Sequence, residues 1–374
     1  MKMRKILIFA HSSGLGGAER SLLETIDLLK KEFIIYVIVP AKGKFYEKVL
    51  NAGIEDVFIV KSHFFYEKLG YSSLKKTIKQ GVNFFSIMKS FYIAKRIGAD
   101  VIYTNSIASW VGPIVSLMLK VPNIWHLREL SVGTSIGNPV FGRVLEKKIL
   151  ESAGFQYLVN SFYVQNWYSS RFGLVSTVAY QPVHIEVTKV GGVDFTKTKK
   201  ISIFGRLQNQ KRQHVVIDSL KFLPDTIVDK VEFHFYGAGS LAYFNFLKDR
   251  IDNRFLRNVF FHGHIDSIVD GFMDTNLVIA PSVGEAFGRV TVEAMIFGIP
   301  VIGASSGGTL ELIGSKSERG SIFSEDNPME LSRKILDYIE NTEKYDDKTK
   351  VAQNWLADNI SKESYCQIFR EKFL

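Results

Sequence analysis

The sequence is short of cysteine, of proline and of long apolar runs, and each shortage narrows what the chain can be. Its one cysteine, Cys366, excludes a disulfide framework and a four-cysteine metal site, and suits a reducing compartment. Nine prolines and 29 glycines in 374 residues, with 46% hydrophobic and 13% aromatic, exclude disordered, collagen-like and low-complexity classes. The longest uncharged apolar run, residues 107–119, contains Gly112 and Pro113. It is too short for the ~18 residues that cross a bilayer. The first nine residues pass from charge straight into a strand-like stretch, so no secretory signal is expected. Asp-x-Asp, the usual metal bridge to a diphosphate, does not occur. A soluble or peripheral cytoplasmic protein is expected, and its length suggests two domains with well-buried cores.

Charge is present but uneven. The formal net charge is +9, yet residues 1–180 hold 23 basic and 12 acidic side chains, so the whole excess lies in the first half. Residues 61–96 alone carry eight basic residues, one acid (Glu67) and eight interleaved aromatics. Lys75, Lys76, Lys79, Phe84 and Phe85 are the candidates there for contact with an anionic membrane surface. The alternative is a solvated helical face whose aromatics belong to the core. No nucleic-acid module is recognisable, so nucleic acid is not an expected partner.

Short β-rich runs alternate with helix-period stretches, which predicts parallel sheets with helical crossovers. Strands are predicted at 5–10, 34–39, 56–60, 101–105, 123–126 and 155–160, and again at 201–204, 232–236, 259–262, 277–280, 301–303 and 321–323. Two complete sets imply two doubly wound α/β domains. The predicted division is 1–186, a glycine- and lysine-rich linker at 187–200, a second domain at 201–355, and a helix at 356–374 crossing back to the first. Beyond Pro328 the chain reads as helix throughout. In such sheets ligands bind beyond the carboxyl ends of the strands, which directs attention to the loops there.

Three of those loops can carry chemistry. The first strand ends in His11-Ser-Ser-Gly-Leu-Gly16-Gly17-Ala-Glu19, where glycines let backbone N–H groups approach an anion. Its spacing departs from the dinucleotide fingerprint, which disfavours a nicotinamide cofactor. In the second half, Gly205-Arg206-Leu-Gln-Asn-Gln-Lys211 sets two cations at a strand end and helix start, suited to a diphosphate. Residues 280–304 then place Glu285 in a loop and Glu293 inside an otherwise apolar helix. A carboxylate there is costly unless hydrogen-bonded, so a polyhydroxyl ligand is a reasonable partner.

Together these residues resemble the retaining glycosyltransferases of family 4. Glu285 and Glu293, with seven residues between them, match the family's paired glutamates; residues 205–211 match its Gly-Arg-Leu-x-x-x-Lys stretch, and 16–19 its Gly-Gly-x-Glu loop. Residues 298–301 (Gly-Ile-Pro-Val) and 307–311 (Gly-Gly-Thr-Leu-Glu) match further elements. The resemblance implies a GT-B fold, two Rossmann-like domains facing each other across a cleft, with an all-helical C-terminal tail. It implies transfer of a hexose-type sugar from a nucleotide-diphosphate sugar, UDP ranking ahead of GDP, with retention and without a metal or other cofactor. Arg206 and Lys211 would hold the diphosphate, Glu285 the sugar hydroxyls, and Glu293 the ribose. Gly16, Gly17, Gly205, Gly288 and Arg289 would complete the donor site, and His126 would match a strand-end histidine near the sugar. The acceptor would be a lipid-linked sugar or surface polysaccharide at the inner face of the cytoplasmic membrane.

Other readings compete. Residues 133–137, Gly-Thr-Ser-Ile-Gly, fit a serine-hydrolase elbow, but Asn138-Pro139 follows where a helix is required. A nucleotide-sugar epimerase on the same fold would leave the basic aromatic surface without a role. A non-catalytic, membrane-associated nucleotide-sugar binder is the alternative from another class.

Overall fold

A computed structural model describes residues 3–67, 73–131, 137–152, 154–185, 198–265 and 267–373. The chain forms two compact units: Met1–Pro182 together with Ile360–Leu374, and Val183–Asn359. Most of the expected linker, residues 187–197, and the core of the hydrolase-like motif, 133–136, lie outside the described residues. The linker's last expected residues, Lys199 and Lys200, instead open a strand, with the Lys200 amide donating to Asn276 Oδ1.

The first unit holds β1 (Lys5–Phe9), β2 (Ile34–Val39), β3 (Asp56–Ile59), a two-residue β4 (Tyr66–Glu67), β5 (Val101–Asn105), β6 (Asn123–Leu127), a two-residue β7 (Asn138–Pro139), β8 (Phe155–Val159) and β9 (Ser176–Val178). Seven of them make one sheet in the order β3-β2-β1-β5-β6-β8-β9, parallel throughout, while β4 and β7 pair antiparallel apart from it. Helices α1 (Gly17–Leu29), α2 (Lys44–Leu50), α3 (Ser73–Ile97), α4 (Val111–Leu119), α5 (Gly142–Leu150) and α6 (Phe162–Phe172) supply the crossovers. Ile6, Leu7 and Ile8 are wholly buried, as a parallel strand covered on both faces requires.

The second unit repeats the scheme. Strands β10 (Lys199–Phe204), β11 (Val231–Tyr236), β12 (Val259–Gly263), β13 (Leu277–Ala280), β14 (Val301–Ala304) and β15 (Ser321–Phe323) form a parallel sheet in the order β12-β11-β10-β13-β14-β15. Its helices are α7 (Gln213–Ser219), α8 (Leu241–Lys248), α9 (Ile268–Phe272), α10 (Arg289–Ile296), α11 (Gly307–Ile313), α12 (Pro328–Glu340) and α13 (Thr342–Asn359). The twelve strands predicted from the sequence are all present, to within about two residues at their ends. The short edge strand β9 was not among them, because its three half-buried residues carry little periodicity.

The last helix, α14 (Lys362–Phe373), belongs to the first unit. It returns at Ile360, four residues beyond the expected 356, because α13 runs on to Asn359. Tyr365 and Phe369 insert into the first unit's core beside Ile8, Leu22 and Tyr103. Tyr365 OH shares hydrogen bonds with Thr25 Oγ1 (2.9 Å) and Gln181 Oε1 (3.1 Å), and the Arg370 guanidinium grips Glu32 through Nε and Nη2. In each sheet the strand order reverses direction beside the first strand, between β1 and β5 and between β10 and β13. Crevices at such switch points are where open α/β sheets take ligands.

Candidate active site

In the second unit the two strands flanking the switch point both end in singled-out residues. Strand β10 runs into Gly205 and exposed Arg206, then into the single 3₁₀ turn Asn209–Lys211. Strand β13 runs into the loop 281–288, which carries Glu285 and ends where Gly288 (φ +89°) caps α10 in the left-handed region. Gln213 Nε2, at the start of α7, donates to the Arg206 carbonyl (2.9 Å) and fixes the first loop. The second loop is fixed from α11: the Gly308 amide donates to the Glu285 carbonyl (2.7 Å), and Ser306 Oγ accepts from the Gly284 amide (3.0 Å).

Two close approaches explain glycines that sequence reasoning left without a role. A Cβ at Gly308 would lie 2.3 Å from the Phe287 carbonyl oxygen, so only glycine lets α11 abut this loop. At Gly237 (φ +146°), beyond β11, a Cβ would fall 2.0 Å from the Gly205 carbonyl oxygen. Gly237 therefore sets how closely the neighbouring loop backs the Arg206 turn.

The singled-out side chains meet in ion pairs. Lys211 Nζ donates to Glu285 Oε1 across 74 residues of sequence, each side chain retaining under a third of its exposure (29% and 27%). Arg289 Nε donates to Glu293 Oε1 (2.8 Å) one helical turn away, with Glu293 buried. Burial pushes the Glu285 carboxyl up, but the Lys211 ammonium and the Ser282 hydroxyl outweigh it and hold Glu285 below the ordinary glutamate range. Arg206 has no side-chain partner among the described residues. Two buried hydroxyls nearby, Thr291 Oγ1 on α10 and Thr309 Oγ1 on α11, also have none. The cluster thus gathers three cations and two carboxylates at the carboxyl end of one sheet. Lys211 keeps further N–H donors beyond the one given to Glu285, so it can hold a phosphate and a carboxylate together.

Gly16, Gly17 and His126 belong to the first unit. Gly16 caps α1, its amide donating to Glu19 Oε2 (2.9 Å), and both glycines are exposed. Among the described residues, nothing beyond its chain neighbours and its own helix backbone lies within 4 Å of a Cβ built at Gly17. His126 is 0% exposed within β6, with Nδ1 against Tyr103 OH (2.7 Å) and Nε2 without a partner. Burial, then the neighbouring Arg128, press its pKa well below the ordinary histidine value, so the ring is neutral. His126 is the last-but-one residue of β6, at the carboxyl end where the sequence placed it.

The more accessible histidine is His11 at the end of β1, whose Nε2 lies 3.1 Å from Glu19 Oε1. Sequence reasoning also missed Arg128, a buried guanidinium that donates to Asn105 Oδ1, Gln181 Oε1 (3.1 Å) and Tyr103 OH (3.3 Å). The available signal was the Trp-His-Leu-Arg run, which puts two titratable groups on one apolar strand end. Of the basic aromatic set, Lys79, Phe84 and Phe85 are described on α3, the two phenylalanines exposed. The side chains of Lys75 and Lys76 lie outside the described residues.

Residues 189–355 match the family described as glycosyl transferases group 1, so the second unit carries a domain of that type. Among curated proteins, the chain is 30% identical over 162 residues to the lipopolysaccharide core biosynthesis mannosyltransferase LpsB of Rhizobium meliloti (strain 1021). That match covers 41% of this chain and 45% of LpsB, so the chain spans about half the length of that relative. It is also 25% identical over 272 residues to the uncharacterized glycosyltransferase MJ1178 of Methanocaldococcus jannaschii, covering 69% of this chain and 71% of that protein. Among solved structures, Anabaena Alr3699/HepE in complex with UDP-glucose superposes with a TM-score of 0.78 over 98% of both chains, at 24% identity. The fold is therefore of the GT-B type, built of two Rossmann-like α/β units with a helical C-terminal region.

Proposed function

We propose that the chain is a retaining glycosyltransferase that moves a hexose-type sugar from a nucleotide-diphosphate sugar to an acceptor hydroxyl. One observation carries the reading: the Lys211–Glu285 pair joins the loops that follow β10 and β13, the strands at the switch point, with Arg206 in the first loop and the Arg289–Glu293 pair opening α10 after the second. Lys211 and Arg206 bind the diphosphate, Glu285 the donor sugar hydroxyls and Glu293 the ribose. As the bond from C1 to the phosphate oxygen breaks, the cations stabilise the departing charge, and such preorganised electrostatics dominate sites of this kind. The acceptor oxygen forms its bond to C1 on the same face and its proton passes to the departing phosphate. Neither glutamate serves as a nucleophile and no metal is needed.

UDP is preferred over GDP as the nucleotide, in keeping with the UDP-glucose bound to Alr3699/HepE. The acceptor is a lipid-linked or surface-polysaccharide sugar, in keeping with the lipopolysaccharide role in the name of LpsB. The enzyme then works in the cytoplasm, peripheral to the membrane's inner face. The test is thermal unfolding with UDP, GDP, ADP and CMP, each without metal. A ligand at ~100 times its Kd stabilises the folded state by ~2.7 kcal/mol. A shift with UDP that disappears in Glu293→Ala supports the assignment. A shift that survives that substitution, or that requires added metal, overturns it.

A further inference from the structure

Before its last turns bury Ile93, Ala94 and Ile97, helix α3 is built inside out from Ile78 to Tyr92. Its buried residues include Asn83, Ser86 and Ser90, while Ile78, Phe84, Phe85, Met88 and Tyr92 face outward, with Phe85 73% and Tyr92 66% exposed. Hydrogen bonds account for two of the three: Asn83 Oδ1 accepts from the His63 amide (2.8 Å), and Ser86 Oγ donates to the Lys61 carbonyl, while Ser90 Oγ has no partner among the described residues. At 3.6 residues per turn the five apolar residues fall within an arc of about 120°, opposite the buried polar ones. Among the described residues, no internal packing accounts for that arc. A surface helix of a globular unit shows the reverse arrangement, and contiguous exposed apolar patches mark contact surfaces.

The charge around the arc selects the occupant. Helix α3 has six basic residues and no acid, and Lys89, Lys95 and Arg96 are exposed beside the apolar stripe. A second copy docking here through a two-fold axis would set these cations against themselves, with no carboxylate on the helix to pair them. An anionic lipid surface meets both demands: aromatic and aliphatic side chains enter the boundary between headgroups and acyl chains, and the cations meet lipid phosphates. We propose that the outward face of α3, from Ile78 to Arg96, lies flat on an anionic membrane and docks the enzyme there. The purpose assigned to this docking rests on the transferase reading; the surface itself does not.

The experiment is flotation of the purified full-length chain with phosphatidylglycerol-containing or pure phosphatidylcholine vesicles at low salt. Binding to anionic vesicles is expected to exceed binding to neutral ones by about tenfold or more. Phe84→Ser with Phe85→Ser, and separately Lys95→Glu with Arg96→Glu, should each bring it to the neutral level. Both changes are at exposed positions, and an unchanged melting temperature shows that the variants fold. The UDP-induced thermal shift should be identical in wild type and variants. Equal flotation with both vesicle types, or undiminished flotation of either variant, overturns the proposal. So does a wild-type dimer in light scattering that Phe84→Ser with Phe85→Ser dissociates. Anionic-selective flotation by a wild type that gives no nucleotide shift would sustain this surface while removing the donor reading.

Discussion

Glu285→Gln separates the two roles its carboxylate has in the ion pair with Lys211. Without ligand the carboxylate occupies the Lys211 ammonium; if that ammonium holds the diphosphate as proposed, the carboxylate also repels it. At ~6 Å, two unit charges interact by ~2.8 kcal/mol at an effective dielectric of ~20, and by about half that where water reaches the site. Glu285 and Lys211 keep 27% and 29% of their side-chain exposure, so the smaller value applies. Removing the charge should therefore tighten UDP binding by about tenfold, from ~1.4 kcal/mol. Under the proposed role of Glu285, UDP-glucose should not gain equally, because the variant would lose a charge-assisted bond to the sugar, worth ~1.5–3 kcal/mol. Titration calorimetry of UDP and UDP-glucose on both proteins measures the split.

The same pair predicts a pH dependence. Lys211 and Ser282 hold the folded-state carboxyl below its ordinary value, so the pair's stabilising contribution is present above the unfolded glutamate pKa of ~4.3. It is lost only as pH falls through the lower folded value. The ratio of wild-type to Glu285→Gln affinity for UDP, in which the titration of the UDP phosphate itself cancels, should then stay flat down to about pH 4.3 and rise only as pH falls through the lower folded value. Weaker or unchanged UDP binding in Glu285→Gln, with an unaltered melting temperature, would refute the reasoning.

Three further outcomes are expected. Gly17→Ala meets no atom of the described residues within 4 Å beyond its chain neighbours and its own helix backbone, so stability should hold or rise by up to ~1 kcal/mol; a transfer rate that falls nonetheless, measured by UDP release, would place the donor against that backbone. Arg289→Ala removes the partner of buried Glu293 and should cost ~1–3 kcal/mol in urea unfolding, with weaker UDP binding in calorimetry; an unchanged unfolding midpoint counts against the pair. Phe369→Ala empties a fully buried site against Tyr103 and Tyr365 and should cost ~3–5 kcal/mol. Limited proteolysis near Ile360 should then speed up, and resistance equal to wild type would mean that α14 is held by its polar contacts alone.

How far the fold was legible follows from what is local. Strand positions depend on apolar runs a few residues long, so both sheets could be read directly, and the glycine-rich turns marked the carboxyl ends where ligands bind. Glu285, Glu293, Arg206 and Lys211 were legible as candidates through their spacing. His126 was read as a strand-end residue and lies one residue from the end of β6; that its ring is wholly buried against Tyr103 was not legible. Nothing in its immediate neighbours fixes the depth of the ring, which depends on Tyr103 from the adjacent strand.

The sequence by itself therefore determined the alternation of strands and helices, the two-unit organisation and the loops that carry charge, because each is encoded within a short stretch. Only the tertiary structure decided that Lys211 closes on Glu285, that Tyr365 and Phe369 complete a core begun at Ile6, and that α3 turns its aromatics outward. These depend on which faces meet after the chain has crossed tens or hundreds of residues. The choice between a buried serine and an exposed phenylalanine on α3 is made by the backbone groups of residues 61–63 that lie beneath it.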